Sequence, residues 1–396
     1  MAAPTCAYCG VDITPENQSR EHIIQNAIGG RKEVANVFCR SCNSTFGNRW
    51  DSEAAEQLHF LSLKLQVVRD DGDVPARYYQ TMSGKRVRLY SDGHMSLPPQ
   101  KPVVTEKEGR VQIQITAPDR KKATETLKGQ KRRHPKLDVQ AALASMTYNE
   151  SYLDDPIAAT LQFQGDGPYR SAVKSALTLA VSAGIGSQEC ERALQYLKPD
   201  GEFCFGFYYR RDPIVNRPLD RVFHCVAIKG DPGIGKLVGY VELFSIYRFV
   251  IALSENYNGP EIAANYSIDP TTGEALELEF DLNFNEEEFR FAVDNMDETA
   301  VPARFQATHR VIGFIQQRSF EREQKRVARR AWDDTLKTLG IEPGQPMTRE
   351  IAVAMSREIS DRMLPFLLHR IATQTGAIYA RPSKEVESLR SPQEDQ

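Results

Sequence analysis

The chain has 396 residues, with 50 Lys and Arg against 53 Asp and Glu, and 41% of its residues are hydrophobic. This length exceeds one ordinary domain, so we expect two or three domains. The net charge of −3 excludes a uniformly basic nucleic-acid-binding protein, so polyanion binding would need a local basic surface. The sequence has no 18-residue apolar run and no secretory signal pattern, so we expect no membrane span.

Two Cys-x-x-Cys pairs lie near the N-terminus. Cys6 and Cys9 form the first pair, and Cys39 and Cys42 form the second after 29 intervening residues. Four thiolates at this spacing are typical of one tetrahedral zinc ion, which replaces the core that so short a segment cannot build. Four protein ligands leave no open position on the ion, so we predict a structural zinc site. The alternatives are four unrelated core cysteines or a redox pair.

The remaining cysteines stand alone in apolar segments, which is typical of a reducing compartment rather than of a disulfide framework. We therefore expect a cytoplasmic protein. These cysteines are Cys190, Cys204 and Cys225.

Three further segments follow the cysteine pairs. Residues 51–68 have leucines at helical spacing, with Asp51 as the expected helix cap or, alternatively, a further metal ligand. Residues 76–117 alternate in short runs, which predicts a small β-rich unit. The basic segment 119–136 is either a solvated helix face, a flexible linker or a phosphate-binding surface.

The second half of the chain mixes both element types. Helical patterns precede residue 200 and return after residue 303, and strand patterns lie between them, so the predicted class is α+β. Residues 230–236 resemble the start of a phosphate-binding P-loop, but Leu237 stands where Ser or Thr is required, and a strand pattern follows. We therefore predict a hairpin turn and no ATP site. The helical segments are 137–150, 168–197 and 303–377, and the strands are 203–209, 222–228, 237–253 and 274–282.

Polar residues between and beside the cysteine pairs can carry hydrolytic chemistry. His22 can take a proton from water near neutral pH, and Asn36 can orient it through a hydrogen bond. Glu21 and Asn43 offer oxygen ligands to a hard divalent cation. These residue types fit phosphodiester hydrolysis, which needs a base and positive charge at the leaving oxygen.

The same residues resemble the His-Asn-His (HNH) endonucleases, in the subtype with two flanking zinc-binding pairs. The resemblance covers about the first 50 residues and implies a zinc-stapled ββα-metal module. It also implies that Glu21 and Asn43 bind the catalytic metal, that His22 is the general base and that Asn36 orients it. This chain has Glu21 where Asp is more common and Gln25 where Pro is common. The resembling segments are 19–24, 29–30, 36–39 and 42–47.

The resemblance predicts an endonuclease with structural Zn²⁺ and catalytic Mg²⁺ or Mn²⁺. DNA is the expected substrate and RNA stays open. A homodimer also stays open, although no heptad repeat supports it. Prokaryotic anti-phage effectors often have a short N-terminal nuclease followed by a larger regulatory part, and the expected layout of this chain is the same. The alternative is a zinc-ribbon adaptor that binds nucleic acid without cutting it. The expected boundaries are 1–68 for the nuclease module, 69–136 for the β-rich unit, 137–380 for an α+β regulatory or targeting domain and 381–396 for a disordered tail.

Overall fold

The computed structural model describes residues 4–107, 110–147, 151–153, 155–294, 301–342 and 344–374, so the tail predicted at 381–396 lies outside the described residues. Helices and antiparallel sheets are both present, which confirms the α+β class. The chain divides into two compact units. The first comprises Met1–Ala76, Tyr90–Gly93 and Thr160–Arg318, and the second comprises Arg77–Leu89, His94–Ala159 and Ser319–Gln396.

The N-terminal module of the first unit has a ββα order. Strands β1 (Gln18–His22) and β2 (Glu33–Cys39) pair antiparallel and lead directly into helix α1 (Arg40–Phe46). One π-helical turn (Gly47–Asp51) then joins α1 to helix α2 (Ser52–Leu65). The helix predicted at 51–68 is therefore confirmed, with a shorter C-terminal end.

Two adjacent glycines allow the turn between β1 and β2 to pack closely. A Cβ atom on Gly30 would lie 1.7 Å from the carbonyl oxygen of Ile24, so no side chain fits there. Gly29 has a φ of +100°, and a Cβ atom on it would lie 2.8 Å from Pro270. Gly30 thus keeps the turn tight, and Gly29 lets the N-terminal module approach Pro270 closely.

The second unit begins with short strands and a basic helix. Short strands are present in the segment predicted to be β-rich at 76–117, and the segment at 119–136 proves to be largely helical. A four-stranded sheet has the order β5-β4-β3-β8, and β6 pairs with β7. The elements are β3 (Arg77–Thr81), β4 (Arg86–Leu89), β5 (Met95–Ser96), β6 (Val103–Lys107), β7 (Arg110–Gln114), α3 (Arg120–Arg133), α4 (Val139–Ala144) and β8 (Ile157–Ala158).

The rest of the first unit is a six-stranded antiparallel sheet with helices packed on it. The sheet has the order β14-β13-β10-β11-β12-β9, and every residue of β12 is buried. The elements are α5 (Asp166–Ser182), α6 (Glu191–Leu197), β9 (Phe205–Phe207), β10 (His224–Asp231), β11 (Lys236–Leu243), β12 (Tyr247–Ser254), β13 (Ile262–Asp269), β14 (Glu274–Ala275) and α7 (Glu286–Asp294).

Two strand predictions had different outcomes in this sheet. The hairpin predicted at 230–236 is confirmed, because β10 and β11 pair up to Asp231 and Lys236. The strand predicted at 274–282 is wrong over most of its length, since strand pairing with β13 covers only Glu274–Ala275, and Phe280 forms an isolated bridge with Ile214. Strand β13 itself carries no clear alternating pattern and was not predicted.

Two long helices end the described part of the chain, and they confirm the helical prediction for 303–377 over most of its length. They are α8 (Val301–Leu339) and α9 (Arg349–Gln374). Among the described residues, no helix is both long and apolar enough to span a bilayer.

A buried histidine joins the N-terminal module to the six-stranded sheet. His224 on β10 is fully buried, its Nε2 lies 2.9 Å from the carbonyl oxygen of Ile28, and its Nδ1 accepts from the backbone N–H of Phe244 at 2.9 Å. The ring is therefore neutral, with its proton on Nε2. Burial lowers the pKa of His224 from 6.5 to about 4.

We predict that His224 makes the protein less stable in mild acid. Below pH 6.5 the imidazole of His224 binds a proton in the unfolded chain. In the folded protein it binds a proton only near pH 4, because its pKa is lowered. Between pH 7.5 and pH 5.0 this costs about 2 kcal/mol of unfolding free energy. Urea denaturation at both pH values should show that His224→Gln loses about that much less than wild type, and equal losses would contradict the prediction.

Candidate active site and zinc cluster

The four N-terminal cysteines come together in one cluster. Their Sγ atoms all lie within 4.8 Å of one another, and no disulfide links them. Cys9 and Cys39 have an Sγ–Sγ distance of 3.8 Å. Tetrahedral zinc with Zn–S bonds of about 2.3 Å requires sulfur separations of about 3.8 Å, so the cluster fits a structural zinc ion.

The strand–helix junction brings the two pairs together. Cys39 ends β2 and Cys42 lies in the first turn of α1, so the second pair bends around the start of the helix. The first pair lies in a tight turn in which the N–H of Gly10 donates to the carbonyl of Cys6 at 2.9 Å. This turn is tied to β2 because the N–H of Ala7 donates to the carbonyl of Val37.

An aromatic cluster supports the same turn. Phe46 at the end of α1 stacks on Trp50 at a centroid distance of 4.1 Å, and Tyr8 meets the edge of Phe46 at 5.0 Å. Phe46 and Trp50 are buried. The turn that carries Cys6 and Cys9 is therefore held by aromatic packing as well as by its backbone hydrogen bonds.

Glu21 points from β1 into the protein interior. It is 5% exposed, and one of its carboxylate oxygens, Oε1, accepts a short charge-assisted hydrogen bond from the Nζ of Lys174 on α5. Lys174 is itself 1% exposed and also donates to Asp51 Oδ2 at 2.6 Å. The ammonium thus lies between two carboxylates that the N-terminal module supplies.

Asp51 belongs to this buried network and not to the end of α2. Its side chain makes no capping hydrogen bond to the helix, so the predicted cap is wrong. Its Oδ1 accepts instead from Ser171 at 2.6 Å and from Gln25 at 3.2 Å. The π-helical turn carries Asp51 toward α5, and Gln25, which replaces the common proline, has a side-chain role there.

The charges in the network depend on one another. Burial raises the pKa of Glu21, against the lowering effect of Lys174. Burial alone would lower the pKa of Lys174, but the facing carboxylates of Asp51 and Glu21 outweigh it, so that pKa is raised. Lys174 therefore stays charged, and it holds negative charge inside the module.

Sequence reasoning missed Lys174 and Ser171 as parts of this site. They lie about 150 positions from Glu21 in the chain, on a helix that the apolar pattern predicts correctly. The one available signal is a lysine among buried residues of α5, since an unpaired ammonium would not be tolerated there.

His22 lies next to Glu21 on β1 and faces the other side of the strand. Its side chain is 25% exposed, and its Nε2 lies 3.6 Å from Oε1 of Glu33, the residue paired with it on β2. That distance is too long for a hydrogen bond. Nε2 is therefore buried with no hydrogen-bond partner among the described residues. The Nε of Arg20 contacts the other oxygen of Glu33 at 2.7 Å.

The two asparagines lie in different settings. Asn43 on α1 uses its Nδ2 to donate to the carbonyl of Arg20 at 2.9 Å, which ties the helix to β1 beside Glu21. Asn36 lies in a bulge of β2 with a φ of +64° and is exposed. No hydrogen bond joins Asn36 to His22 in the part of the chain that the structure describes. The orienting role of Asn36 stays a prediction.

Oxygen atoms suited to a hard divalent cation remain after these contacts. Lys174 takes Oε1 of Glu21 and leaves Oε2, while Asn43 donates through its nitrogen and leaves Oδ1. Carboxylate and amide oxygens are the donors that Mg²⁺ and Mn²⁺ prefer. The donor set therefore fits the predicted catalytic metal.

We predict that Lys174→Met destabilises the protein by about 3 to 5 kcal/mol, because it leaves two carboxylates without their buried cation. Adding Glu21→Gln should recover part of this loss, since it removes one of the two charges. Urea denaturation of both variants measures the effect, and Lys198→Met, at an exposed lysine, is the control. A Lys174→Met protein within about 0.5 kcal/mol of wild type would show that the network contributes little.

Comparison with known proteins supports the nuclease assignment of the N-terminal segment. The family model described as HNH endonuclease matches residues 6–59, from the first cysteine of the cluster into α2. No curated protein and no solved structure gives a significant match to the chain. The match confirms the resemblance seen in the motifs and indicates a nuclease type of function. Residues 6–59 of this chain therefore match the HNH endonuclease family model, over the segment that holds the cysteine cluster, β1, β2 and α1.

Proposed function

We propose that the protein is a metal-dependent HNH endonuclease that hydrolyses phosphodiester bonds in DNA. The observation that carries the proposal is the placement of His22 and Glu21 on β1, within the matched segment. The strand turns the histidine toward its partly exposed face and the carboxylate inward. The proposed base and the proposed metal ligand thus occupy adjacent positions, on opposite faces, of one strand.

In the proposed mechanism, His22 takes a proton from a water molecule, and the resulting hydroxide attacks the phosphorus. Glu21 and Asn43 would hold Mg²⁺ or Mn²⁺, whose charge stabilises the leaving 3′ oxygen. Asn36 is the predicted orienting residue for His22. By family resemblance the products are a 5′ phosphate and a 3′ hydroxyl.

A basic helix in the second unit supports binding of nucleic acid. Residues 119–138, which contain α3, hold eight Lys and Arg against three Asp and Glu, although the whole chain is acidic. Lys122 pairs with Glu125 at 3.1 Å, and in the described structure no carboxylate lies within ion-pair distance of the other seven. The helix packs through Ala123 and Leu127 and leaves its basic side chains mostly exposed. We propose that this face contacts phosphates.

We predict that His22→Ala abolishes metal-dependent cleavage while fold and zinc content stay unchanged, because His22 is neither in the core nor in the cysteine cluster. Plasmid nicking is measured with added Mg²⁺ or Mn²⁺ and with EDTA. Cutting by the variant at the wild-type rate would contradict the role of His22.

The same assay separates the nuclease from a zinc-ribbon adaptor. An adaptor needs only its bound zinc and shows no demand for added metal. A nuclease stops in EDTA before the cysteine cluster loses zinc, which zinc analysis of the same sample detects. Parallel assays on RNA identify the substrate.

We predict that neutralising the α3 face weakens DNA binding and reduces its salt dependence. The slope of log K against log salt should fall by about 0.9 for each lost phosphate contact. Binding is measured by fluorescence anisotropy from 50 to 200 mM salt, with EDTA present to prevent cleavage. The test variant combines Lys121→Gln, Lys128→Gln, Lys131→Gln and Arg132→Gln.

The control removes the same number of positive charges from residues that have carboxylate neighbours in the second unit. A slope that falls equally in both variants would contradict a specific role of α3 and indicate a general charge effect. The control combines Arg326→Gln, Arg330→Gln, Lys337→Gln and Arg362→Gln, whose partners are Glu323, Asp334 and Glu358.

By analogy of layout, we further propose that the nuclease is an anti-phage effector and that the rest of the chain regulates or targets it. Weak cleavage by the purified protein would agree with regulated activity, and strong unregulated cutting would count against it.

A further inference from the structure

The covered nitrogen of His22 has a carboxylate facing it. Nε2 has no hydrogen-bond partner among the described residues, and Glu33 Oε1 is 3.6 Å away. Residues that face each other in an antiparallel pair keep their side chains on one side of the sheet, so the pairing of His22 with Glu33 holds them together. Only a small side-chain rotation separates this distance from a hydrogen bond.

Arg20 restricts that rotation. Its Nε contacts Oε2 of Glu33 at 2.7 Å, so one carboxylate oxygen is held and the other is turned toward the imidazole. The three residues lie on neighbouring β1 and β2 positions, which are rigid parts of the module. A carboxylate with one oxygen fixed in this way is suited to orient a histidine.

The expected orienting residue lies elsewhere. Between the pairs Gln18–Cys39 and Arg20–Ala35, strand β1 has one residue and β2 has three, so β2 bulges at Asn36. The left-handed backbone of Asn36 and its exposure leave it with no hydrogen bond to the His22 ring among the described residues.

We propose that Glu33 is a positioning residue for His22, in addition to any contribution from Asn36. This inference rests on the proposed role of His22 as the general base. When the proton of the neutral ring is on Nε2 and points to Glu33, the lone pair of Nδ1 is free for water. Nε2 is a buried nitrogen without a hydrogen-bond partner, whereas Nδ1 is not, which agrees with access of Nδ1 to solvent.

The carboxylate then acts in two ways during the proton transfer. It holds the ring in the tautomer whose Nδ1 accepts the proton of the attacking water. It also stabilises the imidazolium that forms, because Nε2–H remains bonded to a negative oxygen. No proton passes to Glu33, and the hydroxide released at Nδ1 goes to the phosphorus.

The competing explanation is that Glu33 forms only a surface ion pair with Arg20. Such pairs contribute about 0 to 1 kcal/mol to stability and do not affect a neighbouring histidine. The competing explanation predicts that removing Glu33 leaves the tautomer of His22 and the chemical step unchanged.

The test compares Glu33→Ala, Glu33→Gln and Asn36→Ala in the full-length, zinc-loaded protein. Nitrogen-15 NMR of labelled histidine at pH 8.5, with His22→Ala used to assign the signal, reports the tautomer. Wild type should show the proton on Nε2, and Glu33→Ala should show a mixture of tautomers. Glu33→Gln keeps an oxygen acceptor and should retain the wild-type tautomer.

Single-turnover cleavage, with enzyme in excess over DNA at a series of enzyme concentrations, gives the second readout. Glu33→Ala should slow the maximal rate by about 10- to 100-fold with an unchanged half-saturating enzyme concentration, and Glu33→Gln should restore part of the loss. Wild-type rate and tautomer in Glu33→Ala, or a wild-type ring protonated on Nδ1, would overturn the proposal. If wild type does not cleave DNA, the nuclease proposal fails, and the NMR result alone decides whether Glu33 positions the ring.

Discussion

The buried ammonium of Lys174 between Glu21 and Asp51 is the interaction on which the nuclease module depends. Removing charged groups from water is costly, and this arrangement is stable only while all three groups are present. The lysine comes from α5, which packs on the six-stranded sheet, whereas both carboxylates come from the module. The ββα segment is therefore built into the first compact unit and is not an independent appendage. The buried contact of His224 with Ile28 joins the same two parts at a second place.

The alternation of side chains along β1 separates two tasks. Glu21 points inward, where Lys174 holds one of its two carboxylate oxygens. His22 points to the opposite side, where its ring faces Glu33 and is partly exposed to solvent. The cysteine cluster lies at the start of α1 and fixes the junction from which Asn43 reaches back to β1. The cysteine cluster, the inward carboxylate and the outward imidazole are thus separate features of one short segment.

The sequence predicts best what depends on local spacing. The cysteine cluster and the hairpin at 230–236 were predicted because each follows from residues close together in the chain, whereas the ββα order was predicted from the family resemblance. Lys174, the partner of Glu21 and Asp51, was not predicted. It reaches them because α5, which is distant in the chain, packs against the module, and residue spacing does not predict such packing. Strand β13 was missed because pairing with β10, rather than the preference of its own residues, makes it a strand.

Anomalous diffraction from crystals grown with Mn²⁺ tests the central claim most directly, that one short segment holds both a structural zinc and a separate catalytic cation. Data collected at the zinc and manganese absorption edges distinguish the two metals. The account predicts zinc at the four sulfurs of the cysteine cluster and manganese bound by Glu21 and Asn43, with Lys174 still on the other oxygen of Glu21. Zinc alone, with Glu21 bound only to Lys174, would contradict the account and favour a zinc-binding module without a catalytic metal.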